Sequence, residues 1–200
     1  MKILKLSQKN LKEIVEIAAK SIQQGKVLVC PTDTVYGLVC DATNEKAVEK
    51  VFKIKRRVAK KPIPIFVKDT KMAKKLAKID KKQEKFLKSV WPGKVTVVLR
   101  PKKKFPKGIG KPKKEIGLRI PNYKFINQLL SIVDCPLTGT SANISGKPPS
   151  TKIKEVISQF KNQKHQPDLV IDAGNLKSSK SSTVLDLTVS PPKILRPWKF

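Results

Sequence analysis

Amphipathic helical patterns alternate with short β-branched runs along most of this chain, and that alternation restricts it to an α/β fold. Leu11, Ile14, Ala18 and Ile22 share a helical face, and Gly25 ends that helix. Val27, Leu28 and Val29 follow in strand 26–31, whose pairing Pro31 closes. Asn44 is placed to cap a helix carrying Ala47, Val48, Val51 and Phe52 on one face. Pro62 and Pro64 lead into a strand over 63–67, and two basic helices fill 69–78 and 80–90. Trp91-Pro-Gly93 is a turn, followed by a strand over 95–99 and another over 116–120. Asn122 is expected to cap a helix bearing Phe125, Ile126, Leu129 and Leu130. A strand ending at Leu137, a helix near 151–160 and strands near 168–172, 183–187 and 193–196 complete the chain. No internal repeat or linker is visible. The expectation is a single α/β domain over 1–200, with a twisted mixed β-sheet flanked by helices.

Composition narrows the chemistry. The chain has 44 Lys and Arg against 15 Asp and Glu, a formal charge of +29, which favours polyanionic partners such as nucleic acid or phosphorylated small molecules. Lysine supplies nearly all of it, so a general lysine bias and a functional surface both account for the surplus. Arginine occurs at five positions, Arg56, Arg57, Arg100, Arg119 and Arg196, where a planar bidentate donor suits phosphate or carboxylate. Residues 101–114 form a Pro/Gly/Lys-rich stretch that reads as a mobile basic loop. Cys30, Cys40 and Cys135 lack metal-ligand spacing and sit in apolar settings, as buried reduced thiols do. His165 is the single histidine, in a polar stretch, which argues against a histidine-based triad or zinc site. No apolar run approaches the length of a membrane span, and no signal-peptide core opens the chain, so a cytoplasmic protein without membrane contact is expected.

Three segments concentrate polar chemistry. In Lys26–Leu38 the strand runs into Pro31-Thr-Asp-Thr-Val-Tyr-Gly37. If that piece were extended, Thr32, Thr34 and Tyr36 would share one face; it reads equally as a Thr-rich turn or as one wall of a ligand site. Thr140-Ser-Ala-Asn-Ile-Ser145, backed by Gly146, reads as an anion cradle or as a capping turn. Lys55-Arg-Arg57 ends a helix, where cations also simply favour the helix C-terminus. Ser181-Ser-Thr183 repeats the hydroxyl theme. Neither a P-loop nor a complete dinucleotide loop is present, so a phosphate ligand would be held in some other way.

Together these segments resemble the YrdC-type threonylcarbamoyl-AMP synthase family. Pro31–Gly37 is similar to the family's opening signature, and Lys55-x-Arg57 with Lys61-Pro62 to its K-x-R…P segment. Pro92-Gly93 before Val95–Leu99 resembles P-G-x-x-T, and Arg119-Ile-Pro121 resembles R-x-P. Ser141-Ala-Asn143 with Ser145-Gly146 resembles S-A-N-x-S-G; Ser182-Thr-Val184 with Asp186 and Ile194-Leu-Arg-Pro197 resemble the closing S-T-V and I-L-R-P. The order agrees over residues 8–198.

The resemblance implies a YrdC-like fold with a concave basic face. It also implies formation of threonylcarbamoyl-AMP and pyrophosphate from L-threonine, bicarbonate and ATP, for tRNA t6A37 modification. Lys55 and Arg57 would clamp phosphates and be catalytic; Ser141, Asn143, Thr151 and Arg196 would contact ATP. Thr32, Thr34, Tyr36, Arg119 and Ser182 would form the threonine side, with Arg119 on a carboxylate. No protein metal site is implied; Mg²⁺ would accompany ATP. Trp198 stands where the family usually has glycine, Val58 where a proline is common, and Lys61 where His or Asn is frequent. A chain of this length resembles the short form of the family, which works with separate t6A transfer proteins. The rival expectation, from the basic surface, is an RNA-binding protein on the same fold without synthase activity.

Overall fold

A computed structural model describes residues 1–58, 61–111, 114–179 and 181–197. Trp198 lies outside the described residues. In chain order the first elements are β1 (Lys2–Lys5), α1 (Leu11–Gln23), β2 (Leu28–Cys30), β3 (Gly37–Val39), α2 (Glu45–Lys55) and β4 (Ile65–Phe66). Then come α3 (Thr70–Leu76), β5 (Ala77–Lys78), α4 (Lys81–Val90), β6 (Val95–Pro101), β7 (Ile116–Arg119) and α5 (Lys124–Val133). The last are β8 (Leu137–Thr138), β9 (Thr140–Ser141), α6 (Ile153–Phe160), β10 (Leu169–Asp172), β11 (Thr183–Asp186) and β12 (Lys193–Arg196).

The strands form two mixed sheets, where the sequence suggests one. The first runs β1-β10-β2-β3-β9, the second β12-β11-β6-β7-β4-β8, with β5 added beside β6. The unbroken apolar run of β2 has a direct cause. Val27 and Val29 face one core with Leu38, Cys40 and Val170, while Leu28 and Cys30 face another with Val39, Leu169 and Ile171. Both faces of the first sheet are therefore covered, one of them by the packed pair α1 and α5. Asn44 caps α2 as expected, accepting from the Ala47 N–H at 3.1 Å.

Residues 137–141 tie the sheets together. β8 pairs with β4 in the second sheet, and two residues later β9 pairs with β3 in the first. Gly139 makes the crossing possible, because a Cβ there would come within 2.8 Å of the Phe66 ring. Thr138 locks the join: its hydroxyl accepts from the Cys40 N–H at 3.0 Å and donates to the Leu38 carbonyl at 3.1 Å.

Several local expectations change: the helix expected over 69–78 ends at Leu76 and gives way to β5, and β1, β3 and β9 are strands that the sequence does not announce. Tyr123, not Asn122, occupies the N-cap position of α5, without a side-chain cap. The Asn122 N–H instead donates to Asp33 Oδ2 at 3.0 Å, so its position is set by a tertiary partner. The 101–114 stretch is anchored at several points along its described residues. The Lys102 N–H donates to the Leu76 carbonyl at 2.8 Å, the Gly108 carbonyl accepts from Ile63 at 2.8 Å, and Ile109 is buried.

Candidate active site

A cavity of about 270 Å³ lies where the two sheets meet. Thr32, Thr34, Tyr36 and Ser141 line it from the first sheet and its turn; Thr96, Arg119, Ser182 and Arg196 line it from the second. Arg57 and Pro62 reach it from the segment after α2.

The chain bends through Asp33–Val35 instead of extending, so the three hydroxyls of this turn do not act alike. The Thr32 hydroxyl donates to the Val35 carbonyl at 2.6 Å and accepts from the Thr34 N–H at 3.1 Å. Thr34 Oγ1 is 3.1 Å from Thr32 Oγ1. A hydroxyl has one proton, and Thr32 has already given its own, so Thr34 is the donor of that pair. What Thr34 can still offer a ligand is a lone pair. The Tyr36 hydroxyl points elsewhere, donating to the Gly174 carbonyl at 2.6 Å and accepting from the Ala173 N–H at 3.1 Å. Burial pushes its phenol well above the ordinary range. Tyr36 thus shapes the cavity with its body and pins the 173–174 loop with its hydroxyl.

Arg119 reaches the cavity, but its fork is already engaged. Nη2 meets Asp33 Oδ1 at 2.7 Å, with the side chains 4% and 8% exposed. Nε donates to the Gly93 carbonyl at 2.8 Å, and Nη1 lies 3.5 Å from Thr34 Oγ1. Burial lowers the guanidinium pKa, and the Asp33 charge opposes this. The carboxylate expected for Arg119 is therefore the protein's own. Sequence reasoning misses Asp33 as a site residue. Its signal is an acid between two threonines in an otherwise hydroxyl-rich turn.

Two further arginines reach the cavity, and among the described residues no acid pairs with either. Arg57 donates from Nε to the Lys61 carbonyl at 3.0 Å and from Nη2 to the Pro62 carbonyl at 3.1 Å. Arg196 donates from Nε to the Ser182 carbonyl at 2.9 Å and from Nη2 to Ser182 Oγ at 3.2 Å. Burial lowers the pKa of both arginines. Ser182 Oγ is 2.9 Å from Thr96 Oγ1. Two hydroxyl protons share that one contact, so whichever group donates, the other has an O–H left for a ligand. Thr96 is the threonine of the P-G-x-x-T pattern, a second site residue that the sequence reading passes over.

Lys55, Asn143 and Thr151 are not brought to the cavity wall. Lys55 is buried, and its Nζ donates to the Ser141 carbonyl at 2.5 Å, the Asn143 carbonyl at 2.9 Å and Asn143 Oδ1 at 3.1 Å. Burial, and secondarily the Arg57 charge, pull Lys55 down to about 7. Asn143 is equally committed. Its Oδ1 also accepts from Ser141 Oγ at 2.6 Å, and its Nδ2 donates to the Ile144 and Lys147 carbonyls at 3.0 and 2.6 Å. The two groups expected on phosphate hold each other, and between them they hold Ser141 against the cavity. The Thr151 carbonyl accepts from the Leu176 N–H at 2.9 Å.

No thiol is poised as a nucleophile. Burial pushes Cys40 and the half-buried Cys135 up to about 12 and Cys30 higher still, away from the thiolate form a nucleophile needs. His165 is exposed.

Comparison with known proteins places this geometry in context. Residues 20–197 match the Sua5/YciO/YrdC family, described as telomere recombination. A Methanocaldococcus jannaschii protein named putative threonylcarbamoyl-AMP synthase is 41% identical over 187 residues, 94% of this chain and 86% of that protein. The Pyrococcus abyssi threonylcarbamoyl-AMP synthase is 36% identical, over 92% of this chain and 53% of its own length. The crystal structure of P. abyssi Sua5 complexed with L-threonine superposes with a TM-score of 0.87 at 34% identity, covering 98% of this chain and 56% of that one. The chain thus spans about half the length of the P. abyssi relative. Match, fold and motif order agree: this chain belongs to the Sua5/YciO/YrdC family.

Proposed function

We propose that this protein is an L-threonylcarbamoyladenylate synthase, forming threonylcarbamoyl-AMP and pyrophosphate from L-threonine, bicarbonate and ATP. The observation that carries this reading is one cavity that brings the Thr34, Thr96 and Ser182 hydroxyls together with Arg57 and Arg196. Relatives bearing the synthase name support it. Bicarbonate takes up a proton and loses water to give CO2; the threonine amine attacks the CO2 carbon and sheds a proton, which balances the one taken up, to leave a carbamate. A carbamate oxygen then attacks the α-phosphorus, the bond from that phosphorus to the bridging oxygen breaks, and pyrophosphate leaves. No protein nucleophile is needed, so the protein contributes position and charge.

Thr34, with a lone pair to offer, accepts from the threonine hydroxyl or amine. The Thr96–Ser182 pair donates its remaining O–H. Arg57 and Arg196 counter the carboxylate and the charge growing on phosphate oxygens, a task Arg119 leaves to them because Asp33 holds it. Lys55 and Asn143 act as positioning residues through the Ser141 loop. Mg²⁺ would come with ATP, held by the nucleotide and not by this chain's carboxylates, and would supply neutralising charge beside Arg57 and Arg196. The donor set fits that arrangement. No group of three or more His, Cys, Asp or Glu could hold a metal among the described residues, and the cavity carboxylate Glu115 is paired with Lys111 at 2.7 Å.

The single-domain organisation, a cytoplasmic setting, and hand-over of the product to separate t6A transfer proteins and tRNA belong to the same proposal. No helix among the described residues is long and apolar enough to cross a membrane. The test is pyrophosphate release from ATP. It should require both L-threonine and bicarbonate; release indifferent to threonine, or none at all, would overturn the reading.

A further inference from the structure

The basic charge is not evenly spread. Residues 68–115 hold 17 lysines and Arg100 against Asp69, Asp80, Glu84 and Glu115. That is a net +14 of the chain's +29, in 48 of 200 residues, where uniform lysine bias would place about +7. The fold gathers much of this charge onto one outer face. β5 pairs with β6, setting Lys78 beside Arg100. Lys102 Nζ donates to the Lys74 carbonyl at 2.8 Å, and Lys74 bridges α3 to α4 by a 2.7 Å pair with Glu84. Between these elements runs an open groove lined by Thr70, Lys71, Lys74, Lys75, Glu84 and Lys102. None of these residues lines the cavity at the sheet junction.

The acids of this region are committed to local structure. Asp69 and Asp80 cap α3 and α4, accepting from the Met72 and Gln83 N–H groups at 2.6 and 2.8 Å, while Glu84 and Glu115 pair with Lys74 and Lys111. Among the described residues no salt bridge involves Lys71, Lys75, Lys78 or Lys102. We infer that the face formed by α3, β5, α4 and the start of the loop after β6 is a docking surface for an RNA phosphate backbone, separate from the catalytic cavity. Lysines along a rigid groove match a regularly spaced polyanion through charge alone. An anionic bilayer fits less well, because the apolar residues of α3, Met72, Ala73 and Leu76, are buried in the core and cannot insert, which leaves Phe86 of α4, itself 36% exposed, as a lone large hydrophobic on these elements among the described residues. The choice of RNA over another polyanion rests on the proposed role in tRNA modification.

The experiment measures affinity for an unmodified tRNA transcript, without ATP or threonine, across a salt series. Lys71→Gln/Lys75→Gln/Lys102→Gln should weaken binding about tenfold and flatten the salt slope by about 2, at roughly 0.7–0.9 for each phosphate that is no longer neutralised. Lys12→Gln/Lys20→Gln/Lys161→Gln, at exposed lysines outside that face, removes the same charge and should change binding no more than about twofold. Equal losses in the two variants would reduce the effect to net charge and overturn the assignment, as would no loss in the first. Binding to phosphatidylserine vesicles without binding to tRNA would also overturn it. Hydrogen exchange on the unaltered protein supplies a second readout: bound tRNA should protect 70–88 and 100–104, and protection confined to other segments would place the docking face elsewhere. Pyrophosphate release without RNA should be unchanged in both variants, so failure of the synthase reading and failure of the docking face are separately visible.

Discussion

Arg119 and the pair Arg57 and Arg196 border one cavity and use the same side chain for opposite ends. Arg119 faces Asp33 and two backbone or hydroxyl oxygens, so its charge is balanced before any ligand arrives. Arg57 and Arg196, the latter in the same sheet as Arg119, are oriented by neutral oxygens, the Lys61, Pro62 and Ser182 carbonyls and the Ser182 hydroxyl, and keep their net positive charge. The first arginine is a fixed scaffold that sets the polarity of Thr34. The other two are a field directed at an anion. An arginine's role is thus decided by what it already touches, and the partner distinguishes structure from binding.

The largest effect should come from breaking the balanced pair. Asp33→Asn leaves a buried guanidinium without its counter-charge, and unfolding measurements should show a loss of about 3–5 kcal/mol. Asp33→Asn/Arg119→Met should regain part of that stability while threonine KM stays raised, because Thr34 has lost its neighbour. A small loss in the single variant would show the pair is solvated and the contrast between the arginines mistaken. Arg57→Ala comes next: pyrophosphate release should fall about 100-fold, as for loss of one preorganised donor, with a far smaller change in melting temperature. If stability falls as much as turnover, Arg57 belongs with the scaffold.

Lys55 sharpens the comparison from its place near Arg57. Its folded pKa of about 7 lies below the ordinary 10.5, so between these values the unfolded chain binds more protons than the folded one. The stability of the native protein relative to Lys55→Met should therefore rise with pH from about 7 to about 10, by at most about 1.4 kcal/mol per pH unit. A flat difference over that window would mean that the three oxygen acceptors keep Nζ charged throughout. The smallest effect is expected for Ser182→Ala, about tenfold in threonine-dependent turnover, equivalent to one hydrogen bond of about 1.4 kcal/mol. Discrimination of threonine from 2-aminobutyrate, measured in the same variant, separates loss of a donor from loss of packing.

Much of the fold is legible because its periodicities are local. The α1 face of Ile14, Ala18 and Ile22 and the Asn44 cap of α2 depend on neighbours within a turn, and both are present in the structure. Asn122 misleads because its N–H is satisfied by Asp33, 89 residues away, a contact with no local signature. The lysine-rich loop reads as free because its anchors, Leu76 and Ile63, are also distant in sequence. At the site, Thr34, Ser141, Ser182 and Arg196 do meet in one cavity, and Arg57 joins them. Lys55 and Asn143 instead bond to each other, and Asp33 and Thr96 escape a sequence reading, because partner identity is a matter of three-dimensional contact.

What the sequence determined by itself is the order of the helices and of the longer strands, the extreme positive charge and the set of hydroxyl and arginine segments, all fixed by residue type and local spacing. Only the tertiary structure decided the split into two sheets, with the 137–141 segment joining them. It also decided which hydroxyl has a proton to give, which arginine is already neutralised, and which lysines share a face. Hydrogen bonds and ion pairs depend on the distance and direction between groups far apart in the chain, and folding is what sets both.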